Sequence, residues 1–186
     1  MKKCSMICLC LFVLMAFMGA ANTAQARQKS SVLVVFNDQS GRDSGERLRK
    51  IAHETLYRKV EGLYNVIESK PYAEKLNTAS HMEDTAAVLC ESIKDSNADY
   101  FVYVELMPFQ QAEGFDLIWH SKKMTANLGL KILNLQEGKE LFQETYSVEK
   151  EDDTDFFIVG SPSMARKSLK GALFTAGEAI SVHLPL

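Results

Sequence analysis

The chain has 186 residues, 46% of them hydrophobic and 24% charged, with a formal net charge of −3. That is ordinary globular composition. It lacks the basic excess needed to hold nucleic acid or an anionic bilayer, so neither is expected as a partner.

Lys2 and Lys3 precede sixteen uncharged, mostly apolar residues, 6–21, and Ala24-Gln25-Ala26 follows. A basic start, an apolar run and an A-x-A site are the parts of a secretory signal peptide, expected to be cut after Ala26. A spanning helix wants ~20 apolar residues, more than this run supplies, so no membrane insertion is expected after cleavage. Cys4, Cys8 and Cys10 follow Lys3, Ile7 and Leu9 rather than the small residue of a lipoprotein signal, so no lipid anchor is expected. The expected organisation is a signal peptide over 1–26 and a single extracytoplasmic α/β domain over 27–186, periplasmic or secreted. Cleavage leaves 160 of the 186 residues and removes two lysines, moving the net charge from −3 to −5. A domain of that length can bury a real core. Cys90 is then the only cysteine, so no internal disulfide is available.

Ser31-Val32-Leu33-Val34-Val35-Phe36 is an unbroken apolar run, as expected for a strand covered on both faces. After turn residues 37–42, Asp43 and Glu46 form a capping-box-like helix start. Leu48, Ile51, Ala52, Leu56, Val60 and Leu63 then recur at helical steps as one buried stripe, with Gly62 at the end. Tyr64-Asn65-Val66-Ile67 reads as a short strand reached by a right-handed parallel crossover. Residues 71–76 read as a short helix opened by Pro71. Ser80 and Glu83 form a second capping box before Ala86, Leu89, Cys90 and Ile93 on one helical face. There Cys90 reads as a small buried hydrophobe rather than a reactive thiol.

Asn97 closes that helix, and Tyr100-Phe101-Val102-Tyr103-Val104-Glu105-Leu106 follows as an interior strand. Pro108 ends its ladder, and residues 110–114 read as a loop. Ala126, Leu128, Leu130 and Ile132 alternate with Asn127, Gly129 and Lys131, the pattern of a half-buried strand. A turn over 134–139, with Gly138 at positive φ, leads to an antiparallel return over 141–148. Residues 149–155 read as an acidic connector. Ser161 and Pro162 open a last helix with a stripe of Ala165, Leu169, Ala172, Leu173, Ala176 and Ile180. The fold class is α/β (α+β): a mixed sheet with a β-α-β-α-β start, an antiparallel hairpin and a C-terminal helix packed on the sheet.

In this order the residues resemble the small extracytoplasmic α/β domain of several bacterial envelope proteins. These are the amino-terminal domain of the Tol-system β-propeller protein, the lipoprotein activators of penicillin-binding proteins, and the curli secretion channel. The resemblance is carried by Val32-Leu33-Val34-Val35-Phe36-Asn37-Asp38-Gln39-Ser40-Gly41, by Tyr64-Asn65-Val66-Ile67-Glu68, by Ala98-Asp99-Tyr100-Phe101-Val102 and by the hairpin turn over 134–139. It spans almost all of 31–180. The chain departs from these relatives in having no lipobox, no transmembrane hairpins and no propeller. What the resemblance implies is a protein-binding scaffold without a specified partner.

Catalytic chemistry needs a nucleophile or an acid/base set gathered in a cleft. His53, His81, His120 and His183 show no metal-ligand spacing, and no hydrolase or zinc motif appears. Residues 40–45 stand where a strand feeds a helix but carry Glu46 where a phosphate loop has Lys, so the turn reads as a cap. Glu149, Glu151, Asp152, Asp153 and Asp155 lack the glycine turn of a calcium loop. No cofactor or metal is expected. Phe109, Phe115 and Trp119 flank one loop, and Phe156 and Phe157 follow the acidic run; these five are the candidate partner-binding residues, set against a role roofing the core. The leading expectation is a non-enzymatic envelope protein that binds another envelope protein or its own copies. The alternatives are a small-ligand or glycan-binding domain using residues 37–45 with Trp119 or Tyr103, and a hydrolase of unfamiliar type.

Overall fold

The computed structural model describes residues 29–41, 45–76, 79–115, 120–153 and 161–185. Residues 1–26, expected to be a signal peptide, and Asp43, Trp119, Phe156 and Phe157 lie outside them. The described chain folds as β1 (Ser31–Asp38), α1 (Gly45–Glu61), β2 (Asn65–Ile67), α2 (Lys70–Leu76), α3 (Ala86–Ser92), a 3-10 turn (Lys94–Ser96), β3 (Tyr100–Leu106), β4 (Gln110–Phe115), β5 (His120–Asn134), β6 (Lys139–Asp153) and α4 (Ser161–His183).

The six strands form one mixed sheet in the order β2-β1-β3-β5-β4, with β6 on the other edge of β5. β1 pairs in parallel with β2 and β3; every pair involving β5 is antiparallel. The unbroken apolar runs of β1 and β3 follow from cover on both faces. Val32, Val34, Val102 and Val104 meet Leu56 of α1 and Leu169 and Leu173 of α4, whereas Leu33, Val35 and Phe101 meet Leu76 of α2 and Leu89 of α3. Each buried large aliphatic side chain contributes about 1.5–3 kcal/mol, so these two layers hold the fold. Asn97 closes the 3-10 turn at φ 53, and Gly138 takes φ 62 in the β5–β6 turn. Among the described residues no helix is long and apolar enough to cross a membrane.

Several expectations are corrected. Residues 110–114 belong to strand β4, which pairs with β5 from Gln110↔Thr125 to Phe115↔His120. Pro108 interrupts the ladder, yet the Met107 N–H still donates to the Asn127 carbonyl at 3.0 Å, so β3 and β4 follow one path along β5. β4 is an exposed edge and needs no apolar face, which is why its sequence looked like a loop. The acidic run belongs to β6 as far as Asp153, because Lys123 lies opposite Glu151 and reaches Glu149 and Glu151 at 3.2 Å each. Cross-strand pairs of opposite charge suit such a ladder. Leu63 falls beyond the end of α1 in the turn after Gly62, 45% exposed, and leaves the predicted stripe.

The helix expected after Ser80 starts later, at Ala86, with the Thr85 hydroxyl as its cap. Two buried side chains hold residues 81–84 out of helical geometry. Glu105 accepts the His81 N–H, and Lys131 takes the Met82 and Asp84 carbonyls. Lys131 itself was expected on the solvent face of β5 and is 1% exposed.

Candidate functional site

The most concentrated polar chemistry in the core lies on the α2/α3 face of the sheet. Registers Asn37↔Glu105 and Tyr103↔Lys131 set four polar residues side by side. None of them is more than 2% exposed. The Tyr103 hydroxyl donates to Glu105 Oε2 at 2.6 Å and accepts from Asn37 Nδ2 at 2.7 Å. Asn37 Nδ2 also donates to the Ala79 carbonyl at 2.9 Å, and Gln39 Nε2 donates to Asn37 Oδ1 at 2.9 Å. Glu105 Oε2 accepts the His81 N–H at 3.2 Å. Lys131 Nζ donates to the carbonyls of Met82 at 2.6 Å and Asp84 at 2.7 Å, with Glu140 at 3.7 Å.

Gly129 makes this approach possible, since a Cβ there would stand 2.7 Å from the Met82 sulfur. Burial, reinforced by the bond to Glu105, pushes the Tyr103 phenol far above its ordinary value, so it stays protonated. The cluster clamps the segment 79–84 to the sheet. Its hydrogen-bonding capacity is directed at protein groups rather than at solvent. Two buried polar atoms, Ser40 Oγ and His81 Nε2, find no hydrogen-bond partner among the described residues. Tyr103 is wholly buried, with its hydroxyl engaged by Glu105 and Asn37.

Of the five candidate partner-binding residues, Phe109 and Phe115 lie among the described residues. Phe109 is half-buried against the core residues Met124, Met164 and Ala165. Phe115 is the last residue of β4, paired with His120, and Ser121 pairs with Asp153 at the end of β6. The chain therefore enters the segments that carry Trp119 and Phe156-Phe157 from one end of the β4-β5-β6 strands. His53 stacks on Tyr57 and His183 on Phe142, with ring centroids 3.8 and 3.9 Å apart, so these two imidazoles pack against rings at separate places. Cys90 is half-buried, and burial pushes its thiol up. Among the described residues no group of three or more His, Cys, Asp or Glu is gathered for a metal ion.

Sequence reasoning missed a polar trough of about 740 Å³ at the other end of the sheet, where β1, β2 and β3 begin and β5 ends. Ser31, Asn65, Asn97, Asp99, Tyr100 and Gln136 line it. Asp99 Oδ2 accepts the Ser31 N–H and hydroxyl, both at 2.8 Å, and these bonds hold its carboxyl below the ordinary value. The only signal in the sequence was the recurrence of Asn, Asp and Gln at strand ends, which turn chemistry explains equally well.

No family model matches the chain, and a search of curated proteins gives no match. Solved structures do. The hypothetical protein CT253 from Chlamydia trachomatis aligns at 11% identity and TM-score 0.53, over 83% of this chain and 97% of that one. A protein described as a neuraminyllactose-binding hemagglutinin homolog from Helicobacter pylori aligns at 12% identity and TM-score 0.52, over 86% and 87%. The LpoB C-terminal domain from Salmonella enterica aligns at 14% identity and TM-score 0.31, over 70% and 90%. The likeness to CT253 and to the hemagglutinin homolog is one of fold.

Proposed function

We propose that the protein is exported, loses residues 1–26, and works in the bacterial cell envelope as a non-enzymatic protein-interaction module. Its partner is another envelope protein or a second copy of the chain. The observation that supports this reading is that the pairs Phe115↔His120 and Ser121↔Asp153 lie at one end of the sheet, the end from which the chain leaves towards Trp119 and Phe156-Phe157 in sequence. Phe109, of the same set, packs on Met124, Met164 and Ala165. Phe115, Trp119, Phe156 and Phe157 supply the contacts with the partner, as large rings do at interface centres. The engagement of the buried Tyr103, Glu105 and Lys131 groups by one another, by Asn37 and by the backbone of residues 81–84 supports a non-catalytic role.

The test is capture from cross-linked envelope extract by the tagged protein and by a Trp119→Ala/Phe156→Ala/Phe157→Ala variant of equal thermal stability. A specific partner recovered by the first and lost by the second is expected. Equal recovery by both, or no specific partner at all, sinks the proposal.

A second reading, binding of a small neutral ligand such as a sugar, is favoured by the amide-lined trough around Asp99. Titration with soluble saccharides, followed by amide NMR, should then shift Asn65, Asn97 and Tyr100. Shifts confined to other residues remove it.

A further inference from the structure

α1 and α4 lie side by side on one face of the sheet and leave a groove of about 440 Å³ between them. Partly exposed Ile51 gives it an apolar floor above the buried Leu173, and Phe174 stands at its wall 62% exposed. Arg58, Lys59 and Lys170 line it against the acidic Glu54. Lys59 is paired with Glu178 and lies 5.7 Å from the centre of the Phe174 ring. Gly177 keeps this crossing close, since a Cβ there would stand 3.3 Å from Lys59 Cγ. Among the described residues Arg58 and Lys170 have no ion-pair partner. An exposed aromatic ring beside two uncompensated cations over an apolar floor is unusual on the outer side of amphipathic helices, which is ordinarily polar.

We propose that this groove docks an acidic, leucine-rich peptide segment of a partner protein. The apolar side chains of that segment cover Phe174 and the partly exposed Ile51, while its carboxylates meet Arg58 and Lys170. Covering such a ring removes apolar area from water, and the charges set which segments are accepted. An anionic membrane fits less well, because Glu54 and Glu178 stand among the cations and the surface is concave. A second copy also fits less well, because Glu149 and Glu151 at the acidic end of β6 are already paired with Lys123. The groove lies on the helical layer, away from the strand ends discussed above, and the two proposals stand or fall separately.

The test uses the purified exported protein and three synthetic peptides. One is a Glu/Leu helix with leucines at i, i+4 spacing; the second has Lys for every Glu; the third has Ser for every Leu. The Glu/Leu peptide should bind and shift the amides of Ile51, Arg58, Lys170 and Phe174. Binding should weaken about tenfold in Arg58→Glu/Lys170→Glu and in Phe174→Ser, and also at high salt. The Lys/Leu peptide should prefer the charge-reversed variant. Equal binding of the Glu and Lys peptides to the unaltered protein overturns the proposal, as do shifts that fall elsewhere. Binding to phosphatidylglycerol vesicles, abolished by the charge reversal while the Glu/Leu peptide stays unbound, also overturns it and assigns the face to lipid.

Discussion

Lys131 is a cation at the centre of a sheet, and the carbonyls of Met82 and Asp84 make it tolerable there. Replacing it by methionine keeps the volume of the stem and leaves the Asp84 carbonyl without its donor, while Gln143 still reaches the Met82 carbonyl at 3.0 Å. Lys131→Met should therefore lower stability by about 2–3 kcal/mol in urea unfolding. A loss under about 0.5 kcal/mol would mean that the clamp on residues 79–84 does not depend on this amine. Asp99 gives the pH dependence. Its carboxylate is favoured in the folded state by the Ser31 N–H and hydroxyl, so its folded pKa lies below its unfolded one. Stability from this group is complete above the ordinary aspartate value near pH ~4 and is lost as pH falls through the folded value. Asp99→Asn should flatten the urea midpoint against pH over that acid window and leave its slope at neutral pH unchanged. An unaltered acid limb sinks the assignment.

Between elements, α4 approaches the sheet closely at Gly171, where a Cβ would stand 2.9 Å from Val148 Cγ1 on β6. Two effects oppose each other in Gly171→Ala. Helix propensity gains about 1 kcal/mol, and overpacking against a stiff β-branched side chain costs about 1–3 kcal/mol. The net should be a modest destabilisation, and in a Val148→Ala background the same substitution should become stabilising. A double-mutant cycle by chemical denaturation checks both signs, and equal effects in the two backgrounds would rule out the contact. This packing also explains which elements were readable beforehand. β1, β3 and α4 announce themselves because burial imposes long apolar runs or a helical stripe. β4 carries no such imprint, since its partner holds it by backbone bonds and the exposed Lys122–Glu113 ion pair at 3.3 Å, neither of which imposes an apolar face. The acidic part of β6 becomes legible as strand only when Lys122 and Lys123 are set opposite it. The helix start at Ser80 was misread because a local capping pattern cannot reveal Lys131, which arrives from the far side of the sheet.

Across the whole molecule, charge and apolar surface are sorted by layer. α1 and α4 carry eight Lys or Arg against four Asp or Glu, although the chain as a whole is net −3. The acidic excess therefore lies in the rest of the chain. The groove between those helices was hidden from sequence because Arg58 and Lys170 meet only when the two stripes pack together, whereas the aromatic candidates were visible as local clusters. Stability rests on two core layers, with Cys90 as the only cysteine beyond residue 26. That arithmetic makes export measurable. A protein cut after Ala26 exposes one thiol per molecule when denatured and reduced, and an uncut chain exposes four. One thiol, together with an intact mass beginning at Arg27, is the expected result from the native host. The thermal midpoint of this form should be the same with and without reductant, because a single half-buried thiol has no internal partner. Four thiols, or a midpoint that falls on reduction, would show that the leader is retained, and would withdraw the premise of an envelope protein free of its signal.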